Sequence, residues 1–421
     1  MYRSTLIFMG IACAFLVEIG SKISPEILYL RGKIGIVVLC LLIAGSLAFW
    51  RPLPDILKVF LLCSLLSLVP GMSTVTHAYG FMQVFLDFKF GMALVVTYVL
   101  ASSHLVVYRM PRLVLAVMVF SSLLIMLEML SPGLYRKIFP MTVMYTTVFG
   151  TDFIRATGFF TDASSFGMFC TVAVLYFFAL WRYLGWNKVT GTGLVFSLLG
   201  LVMSGQRMEA GSALFGVVLF YALRKWKRPW LIGSVIFSVA VGYAAVGGIF
   251  DEIIGQFTKL YQDAESWSQF DPRLALLSGA EYLANYHFPF GSGLGTYGSS
   301  MSLINPDDAY FDAGTNQLWW YQQEDTPYLT DSYWAMVIGE TGWFGFVLCF
   351  FSYAYLLFQA SKKVAEAESD LEIFGSCLAF TTMTYGFLNS VASAVFVGSM
   401  VQIYFHALLY IMIFKKEDAS V

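Results

Sequence analysis

The sequence predicts an all-α integral membrane protein, a polytopic bundle of about twelve transmembrane helices with one large, partly helical external loop. Three observations predict it: composition, the length of the apolar stretches, and a single long polar segment between them. Of 421 residues, 58% are hydrophobic and only 12% charged, against roughly 25% charged in an ordinary soluble domain. Mean hydropathy is +0.71. Basic and acidic side chains, 25 and 27 of them, cannot clothe a soluble protein of this size, so lipid solvates most of the surface. Disordered, collagen-like and ordinary soluble classes are excluded. A net charge of -2 offers no basic field for nucleic acid.

The apolar stretches approach the ~20 residues that cross a bilayer as a helix, the element that satisfies its own backbone hydrogen bonds. In order they are Leu6–Ile19, Ile34–Trp50, Ile56–Val69, Phe90–Val107, Leu113–Leu130, Gly158–Trp181, Val189–Met203, Gly211–Leu223, Trp230–Ile249, Tyr333–Phe358, Ile373–Val397 and Met400–Phe414. The chain thus divides into residues 1–250 with nine spans, a loop over 251–331, and residues 332–421 with three spans and a short tail. Arg3 precedes the first stretch without a small-residue cleavage site, so that stretch reads as a span and not a removed signal. All six cysteines fall inside spans, which argues against a disulfide framework, and no Cys or His metal-ligand spacing occurs.

Orientation follows from Lys and Arg. Arg224, Lys225, Lys227, Arg228, Lys362, Lys363, Lys415 and Lys416 fall on one side of a twelve-span topology, with Arg51, Arg109, Arg112, Arg182 and Lys188. That side is expected to be cytoplasmic. Lys22, Arg31 and Lys33 fall on the other side, against the trend.

The external loop, Asp251–Asp331, carries twelve acidic residues but only Lys259 and Arg273 as Lys or Arg. Asp271-Pro272-Arg273 has the form of a helix start, with Asp271 as cap and Pro272 at the first position. Leu274, Leu277, Tyr282 and Leu283 give that helix a face. Pro289 and Gly291-Ser-Gly293-Leu-Gly295 end it near His287. The glycine run is a tight turn and not a dinucleotide fingerprint, because no strand precedes it and no helix follows. The loop's many aromatics, Tyr282, Tyr286, Phe288, Phe290, Tyr297 and Tyr310 among them, build either a small core with an interfacial belt or a platform for sugar rings.

Charges at span edges are costly and therefore functional candidates. Arg155 precedes the sixth span, Arg207 sits in the short turn Ser204-Gly-Gln-Arg207-Met-Glu209, and Arg273 opens the loop helix. All three belong to the external side. A guanidinium stays charged and forks onto two phosphate oxygens, so three of them suit a diphosphate. The plain alternative pairs Arg207 with Glu209 and Arg155 with Asp152. Glu340, inside the tenth span, pairs with an arginine or caps a helix break near Gly339, Gly342 and Gly345. Glu18 and Glu128 are similar but more isolated, and His77, His104 and His406 read as structural.

Four segments together resemble the O-antigen polymerase and ligase family. Arg155, Gly158, Phe160 and Asp162 are similar to its R-x-x-G-x-F-x-[DN] entry to a middle span, and Ser204 to Arg207 to its S-x-x-R turn. Arg273 with Pro289-Phe-Gly291-Ser-Gly293 resembles the R…P-x-x-G-x-G segment of its large periplasmic loop. Asp331-Ser332-Tyr333, followed by Glu340, Gly342 and Gly345, is similar to the loop's end and the E-x-G-x-x-G start of the next span.

The resemblance spans roughly Arg155–Gly345. It implies an inner-membrane, multi-pass glycosyltransferase of bacteria with a periplasm-facing site, using neither cofactor, metal nor nucleotide sugar. Donor and acceptor would be glycans on undecaprenyl diphosphate, and a chain-length regulator and a flippase would be partners. Ligases of this family carry a histidine near the loop's end, where this chain has Thr330-Asp331-Ser332, so a polymerase is expected over a ligase. A lipid-linked glycan flippase is the alternative from another class. The expected roles are diphosphate binding by Arg155, Arg207 and Arg273, glycan contacts from His287 and Tyr297, and Asp331 as the base, with His287 its alternative.

Overall fold

The structure, a computed structural model, describes residues 2–49, 51–73, 78–140, 146–148, 151–225, 272–304, 308–317, 329–330, 332–391, 393 and 395–414. The helices in the first part of the chain are α1 (Tyr2–Ile23), α2 (Pro25–Ser46), α3 (Asp55–Ser73), α4 (Ala78–Leu100), α5 (Met110–Leu130), α6 (Pro132–Ile138), α7 (Ala163–Ala179), α8 (Lys188–Ser204) and α9 (Arg207–Lys225). After them come α10 (Pro272–Tyr286), the short α11 (Ser300–Ile304) and α12 (Ala309–Asp312), then α13 (Tyr333–Glu366), α14 (Asp370–Asn389) and α15 (Met400–Tyr410). Among the described residues, eight helices are long and apolar enough to cross a membrane, and Lys188–Ser204, Met208–Leu223 and Met400–Phe414 are shorter apolar helices. The chain is a multi-pass membrane protein. The expected ninth span, Trp230–Ile249, lies outside the described residues.

The bundle is helical, as expected, with one short antiparallel pair, β1 (Thr146–Val148) and β2 (Thr151–Ile154), ahead of α7. Two expectations need correction. The fourth span begins at Ala78, twelve residues before Phe90. Gln83 and Lys89 depress hydropathy there, yet both are buried against protein. The sixth span begins at Ala163, where the Asp162 side chain accepts the Ser165 N–H at 2.7 Å as an N-cap. Gly158, five residues earlier, turns the chain at a φ of 56°.

α7 is the hub of the bundle, buried along nearly its whole length. It packs on α8 through small residues: a Cβ on Gly200 would meet Cys170 Sγ at 2.8 Å. α3 and α13 are another close pair. Ser64 Oγ donates to Ser352 Oγ at 3.2 Å, and a Cβ on Gly345 would meet Ser67 O at 2.6 Å. Small residues let helix backbones approach where lipid gives no hydrophobic drive to associate.

Hydrogen bonds gather alternate helix ends at one end of the bundle. The C-terminal ends of α1, α3, α5, α8 and α14 meet the N-terminal ends of α7, α9 and α13 there, and the segment after α10 docks at the same end. This up-and-down alternation is what consecutive membrane spans joined by short turns require.

Candidate active site

The site is built from the segment that links β2 to α7. Four consecutive residues, Arg155 to Gly158, are held from several sides. The Ala156 N–H donates to Met203 O at 2.9 Å, tying the segment to the turn between α8 and α9. The Thr157 N–H and hydroxyl donate to the Glu128 carboxylate of α5, both at 3.2 Å. Lys22 Nζ, from α1, donates to Thr157 Oγ1 at 3.0 Å, to Gly158 O at 2.7 Å and to the Tyr135 hydroxyl. Lys22, Glu128, Tyr135 and Thr157 are all fully buried. Farther along, Arg31 Nη1 donates to Thr161 Oγ1 at 3.0 Å.

Arg155 itself is half-buried, and its Nε is buried with no hydrogen-bond partner among the described residues. A desolvated guanidinium donor lacking a partner is costly unless an anion arrives to take it. The adjoining turn carries Arg207. Gly205 adopts a left-handed φ of 62°, ends α8, and lets α9 start at Arg207. The Arg207 side chain lies outside the described residues. Glu209, its suggested ion partner, has both carboxylate oxygens engaged elsewhere: Tyr385 Oη and Asn389 Nδ2 of α14 donate to it, each at 2.6 Å. Asn389 is followed by Ser390, whose carbonyl accepts the Tyr333 N–H at 3.1 Å. The α9 start and the α13 start therefore meet across one end of α14, and Asp331 precedes Tyr333 by two residues. Asp331 itself lies outside the described residues.

The loop docks on the membrane helices through its glycine run. The Ser292 and Gly293 amides donate to the Gly339 and Glu340 carbonyls at 2.8 and 3.1 Å, and the Leu294 amide to Gly71 O at 3.1 Å. α13 breaks at Gly342 (φ 65°, ψ -172°) to receive it. Among the described residues Glu340 forms no ion pair with an arginine. Its Oε1 accepts the Tyr297 N–H at 3.2 Å, so it holds the docked loop.

Tyr297, expected to face glycan, is instead wholly buried at the centre of the loop's core. Its hydroxyl donates to Leu276 O at 3.0 Å, and its ring lies 4.8 Å from that of Tyr310. Burial beside Tyr310 pushes its phenol well above the usual range, keeping it a neutral donor. The loop aromatics thus divide. Tyr297 and Tyr310 are core, while Tyr282 and Tyr286 stack at 5.8 Å on the exposed face of α10. His287 is half-buried, edge-on to Tyr286 at 4.8 Å. Arg273 is exposed at the other end of α10, about 20 Å of helix away, so Arg273 and His287 cannot grip the same phosphate.

Sequence reasoning passed over Lys22 and Arg31, and left Glu128 as isolated. The signal was present in the first two: they are the cations that broke the charge asymmetry, and both hold the Arg155–Asp162 segment.

Comparison with protein families finds that residues 192–350 match the model of the O-antigen ligase family. The match contains the Arg207 turn, the docked loop and the α13 break, and leaves out Arg155. A comparison with curated proteins finds no match.

Proposed function

We propose that this chain is a polysaccharide polymerase that moves a growing glycan from undecaprenyl diphosphate onto the next lipid-linked repeat unit. The observation that carries the reading is the docking of the Arg155 segment on the Arg207 turn, with Arg155 Nε buried and without a partner among the described residues, at the bundle end where the loop also docks. That end faces the periplasm in this reading. The opposite end carries Arg109, Arg112, Arg182, Lys188, Lys362 and Lys363, as cytoplasmic ends do.

The donor's diphosphate meets Arg155 and Arg207, with Arg273 reaching its outer side. An acceptor hydroxyl attacks the anomeric carbon, the C–O bond to the diphosphate breaks with its electrons passing to the phosphate oxygen, and the configuration inverts. The arginines offset the charge that develops on the leaving group. Asp331, beside the α13 start, takes the hydroxyl proton. The stacked Tyr282 and Tyr286 offer C–H faces of sugar rings a platform.

The described family favours a second reading, transfer to lipid A–core; the absence of a histidine at Thr330-Asp331-Ser332 favours polymerisation. Purified full-length protein would be given the lipid-linked unit extracted from a strain lacking this gene, with and without lipid A–core. Longer lipid-linked products support the polymerase. Product on lipid A–core alone supports the ligase, and no product from either rejects both.

A further inference from the structure

We infer that Lys22 and Glu128 are a positioning clamp, together holding Thr157 and Gly158 so that Arg155 is presented to the anion. The inference rests on the proposed role of Arg155.

The geometry is a closed circuit of buried polar groups. The Thr157 hydroxyl donates to Glu128 and accepts from Lys22, so one oxygen joins a carboxyl group of α5 to an amine of α1. The Thr157 amide adds a second bond to Glu128, and the Gly158 carbonyl a second to Lys22. Tyr135 of α6 completes the circuit from Lys22. A charge pair placed in a low-dielectric interior is expensive to bury and gains stability only when further hydrogen bonds complete it. Packing alone would fill this space with apolar side chains at lower cost. What the circuit fixes is the path of four residues, since the Met203 carbonyl holds Ala156 between the clamp and Arg155. Because Lys22 and Glu128 touch the segment two and three residues beyond Arg155, they act through it and not on substrate.

The clamp makes Lys22 and Arg155 energetically dependent. Elongation rates on the extracted lipid-linked unit would be measured for Lys22→Met, for Arg155→Ala and for both together. Thr157→Val, isosteric and lacking the shared hydroxyl, repeats the cycle should Lys22→Met fail to fold, and Thr157→Ser restores the hydroxyl. The clamp requires at least a tenfold fall in kcat for Lys22→Met and Thr157→Val, near wild-type rate for Thr157→Ser, and double variants no slower than Arg155→Ala alone. Multiplying losses, or a wild-type rate for Lys22→Met, would overturn it while leaving the polymerase reading intact. If wild-type protein elongates nothing, that reading has failed, and amide exchange over residues 155–162 then decides the clamp. Exchange at least tenfold faster in Thr157→Val, with α7 unchanged, supports it; unaltered exchange overturns it.

Discussion

Gly291 and Gly342 meet backbone to backbone. A Cβ on Gly291 would come within 2.7 Å of Gly339 O and crowd the Gly342 amide, and one on Gly342 would come within 2.6 Å of the Gly291 nitrogen. Both have positive φ, 75° and 65°. One contact therefore explains two sequence segments 51 residues apart: the glycine run of the loop and the glycines of the helix start are the two sides of one joint.

Gly291→Ala and Gly342→Ala should each destabilise the protein by more than the ~1–2 kcal/mol that the left-handed conformation costs an L residue, because the joint must also open. Gly133→Ala, where a Cβ meets nothing within 4 Å, should cost nothing. Thermal unfolding of the three purified variants in detergent gives the comparison.

Glu209 ties α9 to α14. Tyr385→Phe or Asn389→Ala leaves its buried carboxylate one donor short, a loss of roughly 1.5–3 kcal/mol for a bond to a charged group. Asn389 Nδ2 also donates to the Tyr385 hydroxyl at 3.1 Å, so the two losses should not add. Elongation should fall with stability, since this tie seats the start of α9 where Arg207 stands. A double-mutant cycle on melting temperature checks the coupling.

Tyr297→Phe separates a core role from a sugar-contact role. Losing the bond to Leu276 O should cost about 0.5–1.5 kcal/mol and leave KM for the lipid-linked unit unchanged. A raised KM at unchanged stability would return Tyr297 to the binding surface.

Tyr282 and Tyr286 are exposed, so Tyr282→Ala with Tyr286→Ala should alter stability by no more than about 0.5 kcal/mol each. As a platform they would raise KM for the lipid-linked unit several-fold. Steady-state kinetics at matched melting temperature distinguishes the platform from an idle surface.

Much of the fold was legible because hydropathy reports which segments lipid accepts. Apolar runs such as Leu113–Leu130 coincide with helices, and Pro272 marked the start of α10; the expected cap, Asp271, lies outside the described residues. The start of α4 was hidden because Gln83 and Lys89 look like solvent-facing residues until tertiary packing buries them. For the site, the four segments were visible as patterns, but their joints were not. The Ala156–Met203 bond and the Gly291–Gly342 contact use backbone atoms, which carry no residue signature. Lys22 was misread because charge statistics count cations by side of the membrane and cannot see a buried partner such as Thr157.

The central claim is that Arg155 and Arg207 act on one diphosphate. Its most direct measurement is the elongation rate of purified Arg207→Ala on the extracted lipid-linked unit, at a melting temperature matched to wild type. The account predicts at least a tenfold slower rate, as the loss of a charge-assisted contact worth roughly 1.5–3 kcal/mol requires. A product ladder formed as fast as the wild type's would contradict it.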